Sequence, residues 1–298
     1  MIKKFAWSLV GVLLPLAVAL PGKAETVLEK VARTGYLTVG TRLDMIPYAY
    51  VNDKQELSGY SIEVLNRLRT RLESELGKTI TLQIVEAKDP GAKINLLKTG
   101  DIDIACDTQF TWERNKAVDF STPYSISGIR LLAKKGSNLS TPESLIGKRI
   151  GVVKNSVAES AVKLLQPKAD IVSNYTTAEE GIQALKEGKI DAIAGDTISL
   201  AGLTLLDNPA NYELMPQDAV ATYGIACMVP ENNSGFLDEL NYTIVKMMQE
   251  YVNNNPATVA SIDQWFGAQG LVPLPPELIR SFFEFTIIEH AQIPPDSK

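Results

Sequence analysis

Polar and charged residues of both signs gather just beyond the ends of the apolar, strand-like runs of this chain. Arg42 follows the run Leu37-Thr38-Val39-Gly40, and Asp107, Gln109 and Arg114 follow Ile102 to Cys106. Lys154, Asn155 and Ser156 follow Ile150 to Val153, and Asp196 follows Ile190 to Ala194. In an open parallel sheet, ligands bind beyond the carboxyl ends of the strands, so these residues are selected by place as well as by type. A guanidinium presents forked donors to a carboxylate, and a carboxylate accepts from an ammonium. Cations and an anion converging on one cleft therefore suit a small zwitterion such as an amino acid. Each residue also has a purely structural role open to it. Asp196 and Ser156 can cap the helices that follow them, and Arg114, Arg42 and Lys154 can lie in solvent. The helix start at Ser156 also leaves N–H groups free to receive an anion.

The elements that would position these groups alternate between two periodicities. Strands are expected at 37–40, 81–85 and 102–106, and again at 150–153, 190–194 and 223–229. Between them lie helical patterns. Ser61 offers an N-cap for a helix whose apolar positions Ile62, Leu65, Leu68, Leu72 and Leu76 recur every three or four residues and which stops at Gly77. Ser156 with Glu159, and Thr177 with Glu180, have the spacing of capping boxes. The segment Leu97 to Ala105 nearly repeats at Leu185 to Ala194, each a helix end, a glycine and a strand with an early aspartate. This order predicts an α/β fold with a largely parallel sheet, built as two similar lobes. A long helix is expected after Val229, with Phe236, Leu240, Ile244, Met247, Met248 and Tyr251 on its buried side. The proline-rich tail beyond Leu271, with apolar residues from Leu278 to Ile288, reads as a wrap over one lobe.

The first residues bear on compartment. Lys3 and Lys4 precede an apolar run from Phe5 to Leu20, then Pro21-Gly22-Lys23-Ala24, the pattern of a cleaved export leader over residues 1–24. No cysteine near the cut invites a lipid anchor. The full chain of 298 residues has a net charge of −6, and removing a leader with lysines and no acids makes the remainder more acidic. That balance argues against nucleic acid and anionic lipid as partners. Cys106 and Cys227 are the only cysteines. An even count in an oxidising compartment suggests one bridge, but two buried thiols satisfy the sequence equally.

Several segments together resemble the bacterial extracellular solute-binding proteins of family 3. Thr111-Trp112-Glu113-Arg114, continuing through Phe120-Ser121 to Pro123-Tyr124, follows the family's "T-x-E-R-x-x-x-x-x-F-S-x-P-Y" signature. Gly59-Tyr60-Ser61-Ile62-Glu63, Asp191 to Asp196, Tyr223-Gly224-Ile225-Ala226 and Trp265-Phe266 match further family patterns in order. The resemblance implies a type II periplasmic binding protein-like α/β fold, two lobes joined by two hinge strands near 121–128 and 221–226. Lobe 1 would comprise 25–124 and 225–298, and lobe 2 would comprise 125–224. It implies that Arg114 clamps a ligand α-carboxylate and Asp196 accepts from the α-ammonium, with 107–109 and 155–157 completing the site. Within the family the chain is similar to glutamate/aspartate-binding proteins, which carry the Val39-Gly40-Thr41-Arg42 start, a basic residue at Lys93 and cysteines placed as here. Arg42 and Lys93 would then face an acidic side chain. The implied role is that of a monomeric periplasmic receptor, without cofactor, that delivers an acidic or polar amino acid to the permease of an ABC importer.

Two departures bear on specificity. The family's Gly-Ser/Thr-x-Thr is Asp107-Thr108-Gln109-Phe110 here, and an inward Asp107 would repel an acidic ligand. The family's hydroxyl-bearing loop is Asn155-Ser156-Val157 here. A broad-range or neutral amino-acid receptor is therefore an alternative, and a dehydratase on the same fold is a second. An enzyme would need a tuned acid or base. The single histidine, His290, lies in the tail, and no G-x-S-x-G, H-E-x-x-H or P-loop motif is present.

Overall fold

The computed structural model describes residues 25–154, 156–290 and 293. The expected leader with its cut after Ala24, and the candidate site residue Asn155, lie outside the described residues. The chain opens with α1 (Val27–Thr34), β1 (Tyr36–Thr41) and the short strands β2 (Asp44–Met45), β3 (Ala49–Val51) and β4 (Leu57–Ser58). It continues with α2 (Tyr60–Leu76), β5 (Thr81–Glu86), α3 (Pro90–Thr99), β6 (Ile104–Gln109) and β7 (Asp119–Phe120). Strand β8 (Ser125–Lys134) carries the chain into a second set: β9 (Arg149–Val153), α4 (Val157–Leu165), β10 (Asp170–Tyr175), α5 (Ala178–Lys186), β11 (Ala192–Asp196), α6 (Thr197–Thr204) and β12 (Tyr212–Met215). Strand β13 (Ala221–Val229) returns it, and α7 (Ser234–Val252), α8 (Pro256–Phe266) and α9 (Pro276–His290) finish it.

The main sheet runs in the order β10-β9-β11-β8-β13-β6-β1-β5, with β12 also paired to β8 and β7 to β13, and β2, β3 and β4 form a small separate sheet. The outer strands on each side pair in parallel, β5 and β6 with β1, and β10 and β11 with β9. The two crossing strands pair with each other antiparallel at the centre, from Ala221 opposite Ile129 to Ile225 opposite Ser125. This is the two-lobed α/β architecture expected, and the crossing strands span 125–134 and 221–229, overlapping the segments 121–128 and 221–226 expected as hinges. Separate apolar cores accompany the two halves. One gathers Leu37, Val39, Leu65, Leu68, Tyr124, Phe236, Ile244 and Met248, and the other Ile129, Leu131, Ile150, Val152, Val162 and Ala194. Burying each Val, Leu, Ile, Phe or Met side chain among them contributes about 1.5–3 kcal/mol, which is what holds the helices against the sheet.

The near-repeat in the sequence has a structural cause. Asp103 accepts from the backbone N–H of Thr38 at 2.9 Å, and Asp191 accepts from that of Arg149 at 2.8 Å. In each half the aspartate pins the first parallel strand beside the strand it precedes. Ser61, expected as an N-cap, lies inside α2; the N-cap position is Gly59 at φ 135°. A Cβ at Gly59 would stand 2.1 Å from the Tyr48 carbonyl oxygen, so only glycine fits, and the Ser61 hydroxyl is released for another role. The tail is ordered through α9, which buries Ile279, Phe283 and Ile287 and sets Phe283 edge-on to Tyr251 of α7 at 5.3 Å.

Cys106 of β6 and Cys227 of β13 form a disulfide across 121 positions of sequence. Tying residues that far apart removes much of the freedom of the unfolded chain. The double replacement Cys106→Ala with Cys227→Ala is expected to lower stability by about 2–4 kcal/mol, read as a fall in the urea midpoint. Reduction of the native protein should reproduce that fall, and an unchanged midpoint would refute a stabilising bridge.

Candidate functional site

A cavity of about 130 Å³ opens where the carboxyl ends of β1, β6 and β11 converge beside β13, and Arg42, Lys93, Asp107, Gln109, Arg114 and Asp196 all line it. Arg114 begins a short 3-10 turn after β6. Its Nη1 donates to the Gln109 carbonyl at 2.9 Å and its backbone N–H donates to Thr111 Oγ1 at 3.2 Å. Its own loop therefore aims the guanidinium, and no carboxylate among the described residues pairs with it. Burial pulls Arg114 below the ordinary arginine value. Such a partly desolvated cation strongly favours an incoming anion.

Asp196 caps the helix that follows it and also lines the cavity. Its Oδ1 caps α6, accepting from the Ser199 backbone N–H at 2.8 Å and the Ser199 hydroxyl at 2.9 Å. Its Oδ2 accepts from the Tyr223 hydroxyl at 2.8 Å. A carboxylate held at both oxygens is fixed in direction, and its remaining lone pairs are available to a donor. Among the described residues it has no cationic partner. Tyr223, which the sequence marked only as part of the returning strand, is the residue that connects the two halves here. Burial, then the Asp196 charge, push its hydroxyl well above the ordinary phenol value, so it acts only as a neutral donor. Its place on a crossing strand was the available signal.

The other cations are less free. Arg42 donates from Nε to Asp44 Oδ1 at 2.7 Å and from Nη2 to Glu179 Oε2 at 3.1 Å. Burial alone would lower it, but those two carboxylates outweigh burial and hold it above its usual value. Lys93 is turned into the wall, where its ammonium donates to the Cys106 carbonyl at 2.6 Å and lies 3.8 Å from Asp107 Oδ2. Burial holds Lys93 below the ordinary lysine value, with the Asp107 charge opposing.

Asp107 adopts left-handed backbone at φ 62°, a conformation that aspartate tolerates better than most residues. The turn directs its side chain, which is 0 % exposed, away from solvent. It accepts from Ser61, from the Tyr124 hydroxyl at 3.1 Å and from Thr41 Oγ1 at 3.2 Å. The negative charge that departs from the family pattern is thus neutralised inside the lobe.

Lys154 and Ser156 are not part of the cavity wall. Lys154 is exposed, and Ser156 caps α4 by accepting from the Glu159 backbone N–H at 3.3 Å. At the rim, Phe110 meets Trp112 edge-on at 5.1 Å, and Trp112 is 78 % exposed. A larger cavity of about 570 Å³ lies on the outer face between α2 and α7, but its arginines are already paired, Arg67 with Glu63 and Glu250, and Arg71 with Glu239. Among the described residues no group of three or more His, Cys, Asp or Glu could hold a metal ion, and no helix is long and apolar enough to cross a membrane.

Parts of both halves also pack directly against each other. Ile198 of α6 joins the first lobe's core, and Gly202 lies so close to Ile46 that a Cβ would stand 2.4 Å from its carbonyl oxygen.

Comparison with known proteins bears on the family and the fold. The chain is 27 % identical over 271 residues to the glutamate/aspartate import solute-binding protein of Salmonella typhimurium, covering 88 % of this chain and 85 % of that one. It is 29 % identical over 251 residues to the L-cystine-binding protein TcyJ of Escherichia coli, covering 82 % and 87 %. Among solved structures, an ancestral arginine-binding protein bound to glutamine superposes with a TM-score of 0.68 at 25 % identity, covering 78 % of this chain and 98 % of that one. An ancestral amino acid-binding protein described as a precursor of cyclohexadienyl dehydratase shares the fold, with a TM-score of 0.67 at 22 % identity and coverage of 80 % and 99 %. Residues 37–267 match the model of one family throughout, and the chain belongs to it: the bacterial extracellular solute-binding proteins, family 3.

Proposed function

We propose that this chain is the exported amino acid-binding component of an ABC importer, acting in the periplasm as a monomer after removal of residues 1–24. Lobe 1, residues 25–124 and 225–298, and lobe 2, residues 125–224, close on an acidic or polar amino acid and present it to a membrane permease. One observation carries the reading: Arg114 from one half and Asp196 from the other line the same small cavity, each without an opposite charge among the described residues. Arg114 takes the α-carboxylate through its remaining donors, and Asp196 takes the α-ammonium. Tyr223 holds Asp196 in place, while Gln109 orients Arg114 through its carbonyl. Binding is the function and no chemical step follows. The acidic groups of the cavity are engaged in capping or in the buried Lys93–Asp107 pair, which leaves no evident acid or base poised for catalysis.

A thermal-shift screen against the common amino acids tests this. A ligand present at 100 times its dissociation constant should stabilise the protein by about 2.7 kcal/mol. The corresponding α-keto acid, which lacks the ammonium, should not. Failure of every amino acid to raise the melting temperature, or conversion of one into a product, would overturn the reading.

A further inference from the structure

The Arg114–Asp196 pair accounts for the part of the ligand that all amino acids share, so discrimination must come from the rest of the wall. The cations there are Arg42, Lys88 and Lys93. Arg42, only 15 % exposed, already carries two carboxylates: Asp44 from its own lobe, and Glu179 from the first turn of α5 in the opposite lobe. Lys93 is 3 % exposed and neutralised by Asp107. Lys88 is largely in solvent, 3.8 Å from Glu86. Asp89 adds a further negative charge to the wall, with its Oδ1 capping α3 through the Ala92 N–H at 2.9 Å. Each cation beyond Arg114 thus has a carboxylate beside it, and Asp89 remains in excess.

A second carboxylate on the ligand would find no uncommitted cation in this surrounding. At Arg42 the remaining donor nitrogen is Nη1, and a ligand carboxylate bound there would stand beside the carboxylates of Asp44 and Glu179. Like charges that close together repel, a cost that a neutral group avoids. A carboxamide or hydroxyl brings no charge. It offers an acceptor to the remaining Arg42 donor nitrogen and a donor to a carboxylate oxygen.

We propose that Glu179, by engaging Arg42 from across the cleft, makes the site select an amino acid with a neutral polar side chain over its acidic counterpart. Glu179 is a positioning residue that acts through Arg42. Because it belongs to the opposite lobe, it exerts this selection as the lobes close. The inference rests on the reading that Arg114 and Asp196 bind an amino acid.

The test is calorimetric titration of the mature protein with glutamine, glutamate, asparagine and aspartate, repeated for Glu179→Gln and Glu179→Asp. The wild type should bind an amide about 10-fold or more tightly than the matching acid, the size expected for one charge-assisted hydrogen bond. Glu179→Gln should move that ratio toward the acid by a similar factor, and Glu179→Asp should keep the amide preference. The ratio between isosteric ligands is insensitive to a general loosening of the fold, which would weaken both alike. A wild type that prefers the acids, that binds only apolar amino acids, or whose preference Glu179→Gln leaves unmoved, overturns the inference while leaving the Arg114–Asp196 reading intact. Binding of no amino acid at all overturns that reading and this inference with it.

Discussion

Arg114→Ala is expected to weaken amino acid binding by about 30-fold or more while leaving the melting temperature of the free protein nearly unchanged. Among the described residues the guanidinium's hydrogen bond is to the Gln109 carbonyl, within its own loop. Its loss there is a surface-loop effect, within about 1 kcal/mol. In the closed site it would meet the ligand carboxylate with little competing water, and truncating one partner of such a pair costs about 2–5 kcal/mol. A micromolar ligand is bound by about 8 kcal/mol, so its dissociation constant should rise to between tens of micromolar and the millimolar range. Arg114→Lys should recover only part of the loss, because an ammonium lacks the planar fork. Calorimetry checks both variants, and affinity within twofold of wild type for Arg114→Ala would remove the clamp.

Asp107→Asn is expected to have its largest effect on stability. Asparagine accepts the left-handed backbone that Asp107 adopts, and its side-chain oxygen can still receive the Tyr124 hydroxyl. What disappears is the charge 3.8 Å from the Lys93 ammonium, which would then be buried with the Cys106 carbonyl as its nearest partner. Breaking a buried pair from one side costs about 3–5 kcal/mol. For a chain of this size that is a fall in melting temperature of roughly 10 °C. Adding Lys93→Met should restore most of it, since the uncompensated charge is then gone, and a double variant no better than Asp107→Asn would refute the mechanism. The wild type carries a related pH signature. Burial holds Lys93 below the ordinary lysine value. Between that lowered value and the unfolded one the unfolded chain binds more protons, so this group's contribution makes stability rise with pH over that interval.

Much of this site was legible because it obeys a rule of place. Arg114 and Asp196 stand where strands end, and their types announce opposite charges. The twofold α/β order was equally visible, since helix and strand periods alternate cleanly and the repeated aspartate recurs at the matching joint. What escaped the sequence depends on partners distant along the chain. Glu179 looks like any acid in a first helical turn, and only the fold brings it to Arg42, 137 positions away. Tyr223 lies within a strand whose neighbours give no sign that its hydroxyl meets Asp196. Ser61 was misread as a cap because the close approach of Tyr48 to Gly59 cannot be inferred locally. Lys93 was expected from the resemblance to face the ligand, but α3 directs it toward β6, where the Cys106 carbonyl and Asp107 hold it in the wall.

The Cys106–Cys227 bond has a topological consequence. Everything between those residues, including the whole β9-to-β12 segment, is a covalently closed ring hung from the base of the other half. A protease that nicks the ring once leaves a single molecule, with both pieces still joined at the root. If that half melts and re-forms, its two ends have never separated, so each recovery begins with its longest-range meeting already made.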